Sequence, residues 1–167
     1  SLLDITELKR KESELVEKEQ FIKTIMDNMP IGIAVNTVFP AVVFQYMNDK
    51  FLEIYSITKD EIVEDNSFWV AVYRDEKFRK EIRKKVEEDV ASGDLSRMKW
   101  ENIPIVREGK PTKYITAQDI PVSDRNIVIS TVMDVTEKKN SLETLRVLKD
   151  GLEIAVEEKT KELKSRL

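Results

Sequence analysis

Three polar residues that fall inside predicted strands are the best candidates for contacting a ligand. Asn102, Asp119 and Ser130 each lie within a run that is otherwise rich in apolar residues. A few polar groups among apolar side chains are typical of a pocket that orients a small organic molecule. Each of the three could instead form hydrogen bonds within the sheet or to water, so both interpretations stay open.

The sequence lacks the residue types on which most catalytic and metal sites depend. It has no cysteine and no histidine, which excludes disulfides, thiol nucleophiles and the commonest general base and metal ligand. No serine stands beside a base, and there is no glycine-rich phosphate loop. Acidic pairs such as Glu64-Asp65 and Glu88-Asp89 are expected on the surface. We therefore expect neither catalysis nor a metal site in this chain.

The charge distribution argues against nucleic-acid and membrane partners. The net charge is −4, so the chain lacks the basic excess of a polyanion-binding protein. No apolar run reaches the roughly 18 residues that a membrane span needs. No signal-peptide pattern opens the sequence, and together with the absence of cysteine this favours a cytoplasmic setting.

Charged helical segments are predicted at both ends, which divides the chain into residues 1–28, 29–138 and 139–167. Leu8, Leu15 and Ile22 recur every seven residues, so the first helix carries a narrow apolar stripe that Ile25 extends. The last segment has a coiled-coil spacing that Lys149 and Lys159 interrupt. Its apolar positions are Leu142, Leu145, Leu152, Val156 and Leu163.

The pattern of the middle segment predicts two strands, several short helices and then three strands. The strand predictions are Gly32–Val38, Val42–Met47, Arg97–Arg107, Thr112–Val122 and Asn126–Met133. Short turns at 108–110 and 123–126 separate the last three, as in an antiparallel meander. This order predicts an α+β domain: a five-stranded antiparallel sheet with helices on one face.

The two faces of that sheet have different expected roles. The face toward the helices is predicted to line a pocket with Phe51, Ile54, Phe68, Trp69, Trp100, Asn102, Ile115 and Ser130. If alternation holds, the outer face carries Ile103, Ile105, Ile127, Ile129 and Met133. Since the inner helices cannot cover that outer face, we expect a parallel homodimer through it and the N-terminal helix.

From about Ile22 to Lys139 the sequence resembles the PAS domain family. The matching segments, in family order, are Asn48–Ile54, Thr58–Ile62, Arg107–Lys110, Ile120–Val122 and Asp134–Thr136. The resemblance implies the PAS fold and a sensory role, in which Asp134, Thr136 and Glu137 relay a signal into the C-terminal helix. A second copy of the closing motif, Asp4–Thr6, resembles the exit of a preceding PAS domain. That arrangement is similar to tandem sensors of histidine kinases and implies a downstream output domain in the same polypeptide.

The resemblance also limits the cofactor. Light-sensing flavin domains of this family need a cysteine and its haem sensors usually need a histidine, so both are excluded here. Non-covalent FAD stays open, because Trp69 and Trp100 could border a flavin ring or be plain core aromatics. We expect no cofactor and at most a small organic ligand. The alternatives are a ligand-free dimerisation or spacer module and a small-molecule enzyme.

Overall fold

The computed structural model describes residues 1–64, 66–122 and 126–167. Its helices are α1 (Leu2–Asn28), α2 (Asp49–Tyr55), α3 (Ser67–Val72), α4 (Glu76–Ala91) and α5 (Thr136–Ser165). Its strands are β1 (Gly32–Asn36), β2 (Phe44–Met47), β3 (Lys99–Ile105), β4 (Lys113–Val122) and β5 (Ile127–Asp134). The element types and their order are those predicted, although the strands are shorter at several ends.

The five strands form one antiparallel sheet in the order β2-β1-β5-β4-β3. The first strand in sequence therefore pairs with the last, and β5 lies at the centre. This confirms the predicted α+β class and the five-stranded antiparallel sheet. Most of the predicted turn between β4 and β5, residues 123–125, lies outside the described residues.

Helices α2, α3 and α4 lie on one face of the sheet and bury the core against it. Phe51, Ala34 and Val132 are almost completely buried there. The approach of α2 to β1 is close enough to require glycine at position 32. A Cβ there would come within 2.5 Å of Val132 Cγ1 and 2.7 Å of the Phe51 Cα. The sheet and α2 are thus in direct backbone contact at the start of β1.

Asn48 holds that junction together. It caps α2, because its Oδ1 accepts hydrogen bonds from the backbone N–H groups of Phe51 at 3.0 Å and Ile33 at 2.9 Å. Its Nδ2 donates to the carbonyl oxygens of Met26 at 2.8 Å and Ile31 at 3.1 Å. One buried amide therefore ties the end of α1 to β1 and α2, with all its hydrogen-bonding capacity used.

The predicted face of two outer residues is wrong. A β-bulge between Trp100 and Ile103 shifts the register of β3 against β4, and Asn102 adopts a left-handed φ of 56°. The extra residue reverses the alternation of side chains beyond it. Ile105 is therefore buried in the core and Ile103 packs against that core, while Asn102 turns to the outer side.

The two end helices make little contact with the domain. Within α1 and α5 no residue is buried, and the α1 stripe of Leu8, Leu15 and Ile22 is more than half exposed. Among the described residues, no helix combines the length and apolar character needed to cross a bilayer. The predicted apolar stripe is present on α1 but is uncovered within one chain.

Candidate functional site

A cavity of about 60 Å³ lies between the inner face of the sheet and helices α2 to α4. Most of its wall is apolar. The lining residues are Asn36, Val38, Val42, Phe44, Phe51, Tyr55, Phe68, Trp69, Tyr73, Ile82, Val86, Trp100, Ile103, Ala117, Asp119, Ser130 and Thr131. All the core elements contribute, so a change of shape in the cavity involves both the helices and the sheet.

Aromatic rings from β2, α2 and α3 form one side of this cavity. Phe51 lies 4.9 Å from Tyr55 between ring centroids, and Tyr55 lies 5.2 Å from Phe68, both in edge-on arrangements. Beyond them Trp69 stacks on Tyr73 at 6.0 Å. Such offset and edge-on pairs stabilise each other beyond their buried area. The aromatic wall is therefore a connected cluster held at fixed distances.

Three polar side chains meet on the opposite wall, where β1, β5 and β4 lie side by side. Ser130 Oγ is 2.6 Å from Asp119 Oδ1 and 2.9 Å from Asn36 Oδ1. The Asn36 amide nitrogen donates to the carbonyl oxygen of Thr37 at 3.0 Å, which turns its oxygen toward Ser130. The register pairs Ser130 with Asp119 across β4 and β5 and places Ala34 beside it on β1.

The Asp119 carboxyl has an unusual affinity for its proton. Burial raises its pKa to about 6, and the hydrogen bond from Ser130 only partly opposes this. Two tyrosines on the helical side show the same effect of burial. The pKa of Tyr73 rises through burial, as does that of Tyr55. Near neutral pH, Asp119 is therefore the one group of the wall whose charge changes readily.

The structure brings five of the eight predicted pocket residues to the cavity. Phe51, Phe68, Trp69, Trp100 and Ser130 line it. Two others, Ile54 and Ile115, are buried in the adjoining core but are not part of the lining. Asn102 is on the other side of the sheet, where it borders a groove against α5, because the bulge reverses its orientation.

Sequence reasoning missed several residues of the site. Asn36, Tyr55 and Tyr73 line the cavity, as does Asp119, which is a candidate polar contact but not one of the eight predicted pocket residues. Asn36 gave a usable signal, since it is a polar residue at an inward position of a strand that also carries Ala34. Tyr73 follows α3 without any periodic pattern, so its position depends on tertiary packing alone.

Asp89 is buried, contrary to the prediction that the Glu88-Asp89 pair lies on the surface. Its side chain is 2% exposed and accepts hydrogen bonds from Trp100 Nε1 at 2.8 Å, Arg97 Nη2 at 2.8 Å and Lys85 Nζ at 3.1 Å. Burial raises its pKa, but the hydrogen bonds from Trp100, Lys85 and Arg97 outweigh this and lower it overall. Asp89 thus joins α4 to β3 behind the cavity wall.

Arg107, part of the turn after β3, performs a similar joining role for the helices. Its guanidinium donates to the carbonyl oxygens of Tyr55 at 2.8 Å, Val72 at 2.7 Å and Ala71 at 3.2 Å. Those carbonyls belong to the C-terminal ends of α2 and α3, where a positive charge is favourable. This side chain therefore fixes both aromatic helices to the end of β3.

The predicted relay residues lie where β5 passes into α5. Asp134 Oδ1 accepts from the Thr136 backbone N–H at 2.9 Å and from its hydroxyl at 2.5 Å. The Thr136 hydroxyl oxygen in turn accepts from the Tyr114 N–H of β4 at 2.9 Å. Lys139 places its ammonium 4.1 Å from the centre of the Tyr114 ring. Glu137 is exposed in the first turn of α5.

No protein-family model matches the chain, and no curated protein matches it significantly. Solved structures do match. A PAS domain of an HTR-like protein from Haloarcula marismortui has a TM-score of 0.52 at 15% identity, covering 75% of this chain and 98% of the other. An RNA-binding Light-Oxygen-Voltage receptor has a TM-score of 0.50 at 20% identity, covering 81% of this chain and 38% of the other. At these identities the likeness shows the fold: the chain has the fold of PAS domains.

Proposed function

We propose that this chain is a non-catalytic cytoplasmic PAS sensory module that detects a small ligand in its cavity and relays the change through α5 to an output domain, which we expect to be a kinase. The PAS fold supports a sensory or signalling role. The absence of cysteine and histidine from the sequence supports a role without catalysis.

One observation carries this proposal: the cavity and the start of α5 share the same two strands. On β5, Ser130 lines the cavity, and Asp134, four residues later, accepts a hydrogen bond from the N–H of Thr136, the first residue of α5. On β4, Asp119 lines the cavity and Tyr114 binds Thr136. Because paired strands move together, a displacement of Ser130 or Asp119 changes the position of the first turn of α5.

The size of the cavity favours a small ligand over a flavin. Pockets for drug-sized molecules occupy about 300–1,000 Å³, whereas this cavity measures about 60 Å³. A three-ring system would require the helices to move away from the sheet. We therefore propose no coloured cofactor. The presence of the cavity also favours a ligand-binding module over a ligand-free spacer.

We further propose that the module is a parallel homodimer through α1 and the outer face of the sheet. The α1 stripe is uncovered in one chain, and an isolated helix is marginal in water. The outer face also exposes Ile120 and Met133 and half-buries Ile129. A second copy covers both surfaces at once. Ile103 and Ile105 take no part, since the bulge places them inside.

Sedimentation equilibrium tests the dimer. We expect Leu15→Asp to shift the chain toward monomer at tens of micromolar, because it places a charge in the α1 stripe. Val63→Asp is the matched control, since Val63 is exposed in a loop away from the stripe. A wild-type monomer, or an equal response of both variants, would contradict this interface.

A cavity-filling variant tests the relay. Ala117→Leu adds three carbons from the sheet into the cavity, and Ala91→Leu makes the same substitution at an exposed position of α4 that does not line the cavity. We expect Ala117→Leu to change the backbone amide chemical shifts of Tyr114 and residues 136–139, beyond the change caused by Ala91→Leu. Shift changes confined to cavity residues would show that the cavity and α5 are not coupled.

A further inference from the structure

We propose that the cavity accepts a small organic cation, an alkylamine of about four to six non-hydrogen atoms, whose ammonium group binds Asp119, Ser130 and Asn36. The inference deepens the proposed sensory function and rests on it. Its evidence lies in the hydrogen-bonding capacity, charge, aromatic lining and size of the cavity.

The polar wall has more acceptor oxygens than hydrogen atoms that can be donated to them. Ser130 carries one hydroxyl hydrogen, yet its Oγ lies within hydrogen-bonding distance of the oxygens of both Asp119 and Asn36. It can donate to only one of them. The Asn36 amide cannot turn its nitrogen inward without losing its bond to the Thr37 carbonyl. This cluster is therefore completed by an added donor, and an ammonium group brings three.

Asp119 also has no counter-charge within the described part of the chain. It is the only charged side chain among the described residues that line the cavity, and no ion pair to it occurs in the described part of the chain. The cations whose partners adjoin the lining are already paired: Arg97 and Lys85 bind Asp89, which also accepts from Trp100, and Arg107 binds the backbone carbonyls of Tyr55 and Val72. A partly buried carboxylate without a cation is unfavourable, so a cationic ligand gains from pairing with it.

The opposite wall suits the rest of such a ligand. Seven aromatic residues line the cavity: Phe44, Phe51, Tyr55, Phe68, Trp69, Tyr73 and Trp100. Aromatic faces attract cations and also pack against alkyl groups. Trp69 Nε1 is buried and has no acceptor among the described residues. A ligand with an acceptor atom at its far end would satisfy that N–H.

The volume limits the size of the ligand. A water molecule needs about 10–15 Å³ of cavity measured in this way, and the cavity measures about 60 Å³. It therefore holds roughly four to six non-hydrogen atoms. A straight or branched amine of four or five carbons meets this limit, whereas an aromatic amine exceeds it.

A proton on Asp119 is the rival occupant of the cluster. A protonated Asp119 donates to Ser130, which then donates to Asn36, so each of the two close oxygen pairs shares one hydrogen without a ligand. The two occupants compete, so amine affinity should fall as pH drops below about 6, the pKa to which burial raises Asp119. The other titratable lining groups, Tyr55 and Tyr73, keep their protons throughout this range.

The experiment is an NMR titration of the full chain with three probes of one shape and different charge: butylammonium chloride, 1-butanol and sodium butyrate, at constant ionic strength. The indole N–H signals of Trp69 and Trp100 report binding at the cavity. We expect butylammonium to bind at least tenfold more tightly than 1-butanol, and butyrate not to bind. Asp119→Asn should remove this preference, because its amide nitrogen donates to Ser130. Glu101→Gln, an exposed acid on β3, should not.

The outcomes separate this inference from the proposed function. If 1-butanol or butyrate binds as tightly as butylammonium, the cavity accepts ligands but the cation inference is wrong. If none of the three probes moves either indole signal, the cation inference is wrong as well, while the relay is still decided by the response to Ala117→Leu. A butylammonium preference that persists in Asp119→Asn, or is unchanged between pH 7.5 and pH 5, would also overturn it.

Discussion

Removing the Asp89 carboxylate should destabilise the domain by about 3 kcal/mol, since Asp89 joins α4 to β3. The hydrogen bond from Trp100 is buried at both ends, with Asp89 2% and Trp100 5% exposed. A hydrogen bond to a charged group contributes about 1.5–3 kcal/mol. The Arg97 and Lys85 side chains are 49% and 62% exposed, so each ion pair adds only about 0.2–1 kcal/mol. These contributions give the expected loss for Asp89→Ala.

Two further variants separate the contribution of the Trp100 hydrogen bond from that of the ion pairs. Asp89→Asn keeps an oxygen for Trp100 and loses only the ion pairs, so we expect a loss of about 1 kcal/mol. Glu88→Ala is the matched control on the same helix, because Glu88 is exposed and lies 3.8 Å from Lys84. It should change stability by less than about 0.5 kcal/mol.

Urea unfolding followed by tryptophan fluorescence measures these losses, since both tryptophans lie in the core. The pKa of Asp89 is lowered in the folded state, so its stabilisation is present above the unfolded value of about 4 and is lost as pH falls through the folded value. The difference in unfolding free energy between wild type and Asp89→Asn should therefore become smaller below about pH 4. If Asp89→Ala stayed within 0.5 kcal/mol of wild type, the joining role would be refuted.

Three other predictions follow from the same contacts. Gly32→Ala should destabilise the domain by about 1–3 kcal/mol in urea, because its Cβ would overlap Phe51 and Val132; an unchanged midpoint would contradict that packing. Asp119→Asn should raise stability at pH 7.5 by at most roughly 3 kcal/mol and by less at pH 4.5, since burial raises the pKa of Asp119 to about 6 and its charged form opposes folding. An equal gain at both pH values would refute this. Thr136→Val should increase amide hydrogen exchange in the first turn of α5, while Thr144→Val, whose hydroxyl only contacts its own helix, should not.

Much of the fold could be predicted because its signals are local. Period-two alternation marks the strands and period-3.6 stripes mark the helices. Phe51 follows from its place on a short amphipathic helix, and Phe68 and Trp69 belong to the helical region expected after the second strand. All three line the cavity. Ser130 follows from its parity with Val128 and Val132, which are both buried. Local patterns were sufficient for these residues.

The errors on the outer face of the sheet came from one irregular residue. Asn102 adopts a positive φ, and the bulge there reverses the faces of Ile103 and Ile105. The sequence held two indications of it: asparagine adopts left-handed geometry more readily than most residues, and Pro104 within a strand is typical of an edge strand or a bulge. Strict alternation through this segment therefore assigned three residues to the wrong face.

The burial of Asp89 had no local signal. It lies on a charged helix beside Glu88, and the side chains at i,i−4 positions pair as on any solvated face. Asp89 differs from Glu88 because it accepts a hydrogen bond from Trp100, which is eleven residues away in sequence and belongs to another element. A hydrogen bond of this kind is set by how α4 crosses the sheet, which the sequence pattern does not specify.

The most direct test of the account is whether a change in the cavity moves α5. The chain has no cysteine, so Asp150→Cys gives one spin label on an exposed position of α5, and electron–electron double resonance then measures the distance between the two copies of a dimer. The account predicts a different distance distribution when Ala117→Leu fills the cavity, and an unchanged distribution for Ala91→Leu, the same substitution at an exposed position of α4. Identical distributions in wild type and Ala117→Leu would contradict the claim that the cavity is coupled to this helix.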